Sequence, residues 1–127
     1  MIRHAEAETG EPDELRRLSP EGRDQARELG MRLAAEGVRP DAILTSPLLR
    51  AGETGEALAA ELGVESESSA ALAPGATAEG VRAAVEGRGE TVLVVGHQPD
   101  CGQIAAELSD GAEPRFPPAG IVELQLP

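Results

Sequence analysis

Three short apolar runs, each followed by a basic or imidazole side chain, constrain this chain more than any other feature. Met1-Ile2 leads into Arg3-His4, the stretch Asp41 to Thr45 leads into Ser46-Pro47-Leu48-Leu49-Arg50, and Thr91 to Val95 leads into Gly96-His97. The two histidines of the chain, His4 and His97, both follow such runs. Read as parallel strands, the runs deliver their polar successors to one edge of a sheet, where open α/β sheets bind ligands beyond the carboxyl ends of their strands. Two arginines and two imidazoles gathered at that edge suit a phosphoryl group.

The segments between the runs read as helices. Ser19-Pro20-Glu21 combines an N-cap serine with proline at the first helical position, and Ala26, Leu29, Leu33 and Ala34 follow at helical spacing until Gly37. Pro47 to Leu62 repeats the pattern through Ala51, Ala57 and Leu58, with Gly63 as the stop. Val64 to Leu72 is weakly patterned and accommodates a short edge strand. Pro74-Gly75 then turns the chain toward a helix over Ala78 to Glu86. Thr91 to Val95 has the unbroken β-branched character of a strand buried on both faces, and Gln103 to Leu108 reads as a helix. Gly111 to Pro118 reads as a loop, and the alternation from Ile121 to Leu126 predicts a last strand near the sheet edge. Strands alternating with helices give an α/β fold, a three-layer α/β/α sandwich with a mostly parallel sheet and right-handed crossovers.

A chain of 127 residues is enough for one core, so a single domain over 1–127 is expected. Aromatic residues make up 1% of it, which leaves the core to Ala, Leu and Val and demands close helix-to-sheet approach. All eleven cationic side chains are arginine, a coding bias rather than a chemical signal. The net charge of -12 disfavours nucleic acid and anionic membrane as partners. A phosphate pocket must therefore be a local concentration of arginine set against the global field, which singles out Arg3, Arg50 and Arg16. Cys101 is the one cysteine and, with two histidines, cannot complete a tetrahedral zinc site without carboxylates. It reads as a small helix-face residue in a reducing compartment. With no long apolar run and no signal-peptide pattern, the chain is expected in the cytoplasm.

Arg3-His4-Ala5-Glu6, Ser46 to Thr54 and Val94-Val95-Gly96-His97-Gln98-Pro99 together resemble the histidine phosphatase, or phosphoglycerate mutase-like, superfamily. The resemblance spans nearly the whole chain. The short length, Leu72-Ala73-Pro74-Gly75 and the stretch from Asp13 to Ser19 look most like its SixA group of bacterial phosphohistidine phosphatases. It implies that His4 is a nucleophile that becomes transiently phosphorylated, and that Arg3, Arg50 and His97 line the phosphate pocket, with His97 a protonated donor. It implies no metal and no cofactor. The chemistry agrees, because a neutral imidazole nitrogen can attack phosphorus in line while cationic forks hold the equatorial oxygens. Arg16-Arg17-Leu18-Ser19 is similar to a family segment whose arginine adds a phosphate contact, the alternative being that Arg16 is a solvated loop arginine. Ser46 is either a donor near the pocket or, the preferred reading, part of a helix entry. Glu53-Thr54 is expected to support Arg50 from behind.

Two departures matter. Mutase and sugar-phosphatase members carry a glutamate acid after the second helix, whereas Leu72-Ala73-Pro74-Gly75-Ala76 offers no carboxylate. A phosphohistidine ring leaves readily once protonated, so weak acid assistance suffices and the substrate choice tilts toward a phosphohistidine protein. Asp13 matches an acidic position of the SixA group and is a possible acid, although a loop aspartate is usually just solvated. A short chain without a cap over the pocket also suits a bulky protein substrate. The first strand is also short. Relatives begin several residues earlier, a central strand needs about five residues to pair well, and a loosely held His4 or an upstream start follows as the expectation. A small-molecule phosphomonoesterase and an inactive phosphoprotein-binding domain are the alternatives.

Overall fold

The apolar run ending at Gly96 forms the heart of a parallel sheet in this computed structural model, which describes residues 1–126. In chain order the elements are β1 (Ile2–Arg3), α1 (Pro20–Ala35), β2 (Ala42–Thr45), α2 (Leu49–Leu62), β3 (Ser66–Ser68), α3 (Ala78–Val85), β4 (Val92–Gly96) and α4 (Asp100–Ser109). Single 3-10 turns lie at Asp13–Leu15 and Ala70–Leu72. Among the described residues the strand order is β1-β4-β2-β3, every pairing parallel.

Alternate side chains along the buried strands point to opposite faces, and each face has its own helices. Ile2, Ile43, Leu93 and Val95 pack with Leu29 and Leu33 of α1 and Ala51 and Leu58 of α2. Leu44 and Val94 pack with Leu72, with Ala78 and Val81 of α3, and with Ile104 of α4. The expected three-layer α/β/α sandwich is the result. With so few rings, glycine supplies the close approach. A Cβ on Gly55 would lie 2.3 Å from Thr45 Cγ2, so α2 settles directly on β2, and one on Gly22 would lie 1.9 Å from the Glu6 carbonyl oxygen.

Helix starts follow the anticipated chemistry in part. Ser19 caps α1, its Oγ accepting the Gly22 N–H at 3.0 Å, and Thr77 caps α3 through the Gly80 N–H at 3.0 Å. α2 begins at Leu49 rather than Pro47, with Leu48 as N-cap and no side-chain cap bond, so Ser46 is not the helix entry expected of it. α4 begins at Asp100, three residues earlier than the apolar spacing indicated.

The last predicted strand needs correction. Ile121 makes an isolated antiparallel bridge with Ile2, framed by Arg3 N–H to the Gly120 carbonyl at 3.0 Å and Val122 N–H to the Met1 carbonyl at 2.9 Å. Among the described residues no strand forms beyond Val122. The first strand, expected to be central, is the terminal one of the four named strands. The 119–122 segment nevertheless lies along its open side, and Ile2 is fully buried. Among the described residues, no helix is long and apolar enough to cross a membrane.

Candidate active site

Parallel register sets the site. Arg3 pairs with Gly96 and Thr45 with Val95, so the residues that follow emerge side by side at one sheet edge. His4 N–H donates to the Gly96 carbonyl at 3.0 Å and Ser46 N–H to the Val95 carbonyl at 2.9 Å. The His4 and His97 rings stand 5.2 Å apart, tilted by 58°.

The tautomer of His4 follows from its one hydrogen bond. Nδ1 lies 2.7 Å from the Ala5 carbonyl oxygen, which can only accept, so Nδ1 carries the proton and Nε2 keeps its lone pair. Burial first, with the Arg50, Arg3 and Arg16 charges adding to it, lowers His4 to about 4. The imidazole is thus neutral at physiological pH, the state a nitrogen nucleophile requires.

His97 is 4% exposed, and its Nε2 lies 2.6 Å from the Ser46 hydroxyl. Ser46 is fully buried, its Oγ accepts the Leu48 N–H at 3.2 Å, and among the described residues Nε2 is the one acceptor within reach of its own proton, which places the ring proton of neutral His97 on Nδ1. Burial, His4 and Arg50 together lower His97 to about 4. The protonated donor expected at this position is therefore corrected for the free protein, where His97 is a neutral donor through Nδ1. The reason is that burial disfavours a charged ring, and a second imidazole and the Arg50 guanidinium oppose it further.

Arg50 reaches the site from the first turn of α2 and is 7% exposed. Its two terminal nitrogens donate to the carbonyl and the carboxylate of Asp13 at 2.9 and 3.2 Å. Arg3 donates to the Phe116 carbonyl at 3.0 Å. Behind Arg50, the Thr54 hydroxyl donates to the Arg50 carbonyl at 2.8 Å and accepts the Ala5 N–H at 3.0 Å, locking the α2 start to the residue after His4. Glu53 instead accepts the Leu18 N–H at 2.8 Å. Among the described residues, three buried donors, Arg3 Nε, Arg50 Nε and His97 Nδ1, have no acceptor. Each such group costs about 1–3 kcal/mol unless an acceptor meets it, so the arrangement favours an oxyanion.

The structure brings Arg16 to the same rim. Its Nε donates to the Glu8 carbonyl at 2.7 Å and its NH1 to Asp13 at 3.0 Å, so Asp13 bridges Arg16 and Arg50. Arg16 foremost, then Arg50, holds the exposed Asp13 carboxyl below the usual aspartate range. At neutral pH it is ionised and carries no proton to donate. Cys101 is fully buried and burial pushes its thiol up to about 12, as suits a packing residue. Among the described residues, no group of three or more His, Cys, Asp or Glu is placed to hold a metal.

Sequence reasoning missed Asp100. Its carboxylate accepts the Gly75 and Ala76 N–H groups at 2.8 and 3.2 Å. An acidic residue directly after Gln98-Pro99, in the first turn of the helix behind His97, was the available signal.

Comparison with known proteins places these observations in a family. The family model for the histidine phosphatase superfamily, branch 1, matches residues 1–74 of the chain. An uncharacterized protein of Picosynechococcus sp. is 38% identical over 102 residues, covering 76% of this chain and 61% of that relative, so the match spans about three fifths of the relative's length. Among solved structures, the protein histidine phosphatase SixA complexed with tungstate superposes with a TM-score of 0.84 at 28% identity, over 93% of this chain and 81% of that one. A putative phosphohistidine phosphatase SixA from Nakamurella multipartitia gives 0.78 at 26%, over 94% and 77%.

Proposed function

The chain belongs to the histidine phosphatase superfamily, branch 1, and from that premise we propose that it is a SixA-like phosphatase, a single domain over 1–127 acting on a phosphohistidine protein. The observation that carries this reading is the set of unpartnered donors, Arg3 Nε, Arg50 Nε and His97 Nδ1, around a neutral imidazole with a free Nε2 lone pair.

In the first step His4 Nε2 attacks the phosphorus of the incoming group. The bond from phosphorus to the substrate's ring nitrogen breaks, and the departing imidazole keeps the electron pair, with a proton on its other nitrogen lowering the cost. Arg3, Arg50 and His97 hold the equatorial oxygens as their charge redistributes, which lowers the barrier because the donors are already in place. Water then attacks the phosphorus of phospho-His4, the P–Nε2 bond breaks with its electron pair returning to Nε2, and inorganic phosphate departs with the water oxygen and its protons, leaving His4 neutral with its proton on Nδ1. The step uses no metal and no cofactor. The absence of a carboxylate in Leu72 to Ala76, and the ionised state of Asp13, favour phosphohistidine over a phosphate ester, whose oxygen leaving group needs an acid. Arg16 and Asp13 together tune the rim, and Ser46 holds the His97 tautomer. We place the activity in the cytoplasm, in signal transduction.

The test is phosphate release from a phosphohistidine-bearing protein domain by the chain and by His4→Ala, with EDTA present. His4-dependent, chelator-resistant release that outpaces release from a generic phosphate ester is the expected result. Ester turnover rivalling it would shift the assignment to a small-molecule phosphomonoesterase, and tight binding without release would make the chain a phosphoprotein-binding domain.

A further inference from the structure

The stretch Leu72 to Ala76 has no carboxylate of its own, yet one is delivered to it from α4. Asp100, the first residue of that helix, is 9% exposed, and its Oδ2 accepts both the Gly75 and the Ala76 N–H. The same helix start is fastened to the phosphoryl site, because the Cys101 N–H donates to the His97 carbonyl at 2.8 Å. Leu72 and Ala76 pack in one apolar cluster with Ile104 of α4, so the loop rests on the helix independently of the carboxylate. Two amide donors bind the Asp100 carboxylate, and among the described residues it has no ion pair with an arginine. A buried carboxylate without a cation keeps most of its field for its neighbours.

We propose that Asp100 is a positioning residue for the phosphoryl site: it pins the Gly75-Ala76 backbone to the start of α4 and sets the charge that His97 carries once an oxyanion enters. The inference rests on the reading of His97 as a phosphoryl ligand. The charges that act on His97 come from His4 after β1, Arg50 on α2, Asp13 on the 3-10 turn and Asp100 on α4. Of these, His4 and Arg50 oppose a proton on His97 while Asp100 and Asp13 favour it. Asp13 is exposed and shared by Arg16 and Arg50, so its field is screened and partly spent on them. Asp100 is the buried counterweight. With a bound oxyanion offsetting Arg50, its charge tips His97 toward the imidazolium, which grips the phosphoryl oxygens more strongly than the neutral ring.

The chain's two histidines make this directly measurable by NMR, with His4→Ala assigning the remaining imidazole. The pH midpoint of His97 is followed in the presence of sulfate, whose charge is constant across the range, for the native chain, Asp100→Asn, Asp100→Glu and Asp100→Ala. Asn keeps an acceptor oxygen but loses the charge, so its His97 midpoint should fall by roughly half a unit or more while the Gly75 and Ala76 amides stay protected from exchange. Ala should lower the midpoint and also expose those amides, and Glu should restore the midpoint. An unchanged midpoint in Asp100→Asn, or amide exposure in Asp100→Ala with no change in His97, overturns the proposal and leaves Asp100 a loop cap. Phosphohistidine turnover of the native chain, measured alongside, separates a failure here from a failure of the phosphatase reading.

Discussion

Asp13 grips the Arg50 guanidinium twice, through its carbonyl at 2.9 Å and its carboxylate at 3.2 Å, while sharing that carboxylate with Arg16 at 3.0 Å. An anionic side chain therefore already occupies part of the cationic rim that a phosphoryl group would use.

Replacing Asp13 with Asn keeps the backbone carbonyl contact to Arg50 and removes the competing charge. Inorganic phosphate is then expected to bind several-fold more tightly, because the carboxylate no longer competes for Arg50 and Arg16. Isothermal titration calorimetry checks it. Weaker binding in Asp13→Asn would instead assign the carboxylate to holding Arg50 in place.

Ser46 is fully buried, and its hydroxyl is the contact that keeps the His97 proton on Nδ1. Ser46→Ala should release the ring to either tautomer and cost about tenfold or more in kcat with a smaller change in KM, since a correctly protonated donor is required in the transition state. Ser46→Thr, which keeps the hydroxyl, should recover part of the loss. Equal loss in both variants would trace the effect to packing.

Acid should destabilise the fold through both histidines. In the unfolded chain each takes up a proton near its ordinary 6.5, but in the folded protein only near 4. Between those values the unfolded state binds more protons, so stability falls as pH drops from neutral toward 4 and the loss levels off below it. The shift corresponds to at most about 3 kcal/mol for each ring. Urea unfolding at about pH 7 and about pH 5 reads the difference, and His97→Gln should flatten it; a profile independent of pH over that window would contradict the buried neutral rings.

Much of this was legible beforehand because local chemistry and tertiary structure agree. Ser19-Pro20 begins a helix through a cap that needs three neighbouring residues, and Val92 to Val95 is apolar enough to lie only in a covered sheet. The Ile121 to Leu126 alternation misled because pairing depends on the partner, and among the described residues this segment meets the Met1–Arg3 backbone only from Gly120 to Val122. Ser66-Glu67-Ser68 shows the converse, a strand of poor intrinsic propensity that forms because Ile43, Leu44 and Thr45 offer it an open edge.

The sequence by itself determined the α/β alternation, the one-sided gathering of Arg3, His4, Arg50 and His97, and the family to which these residues point, since each depends on short-range pattern and on strand polarity. Only the tertiary structure decided the protonation of the two imidazoles, the ionised bridge of Asp13 between Arg16 and Arg50, and the arrival of Asp100 beneath Gly75 and Ala76. Those properties are set by burial and by charges far apart in the chain, and Coulomb and desolvation energies follow distance in space, which one-dimensional spacing does not encode.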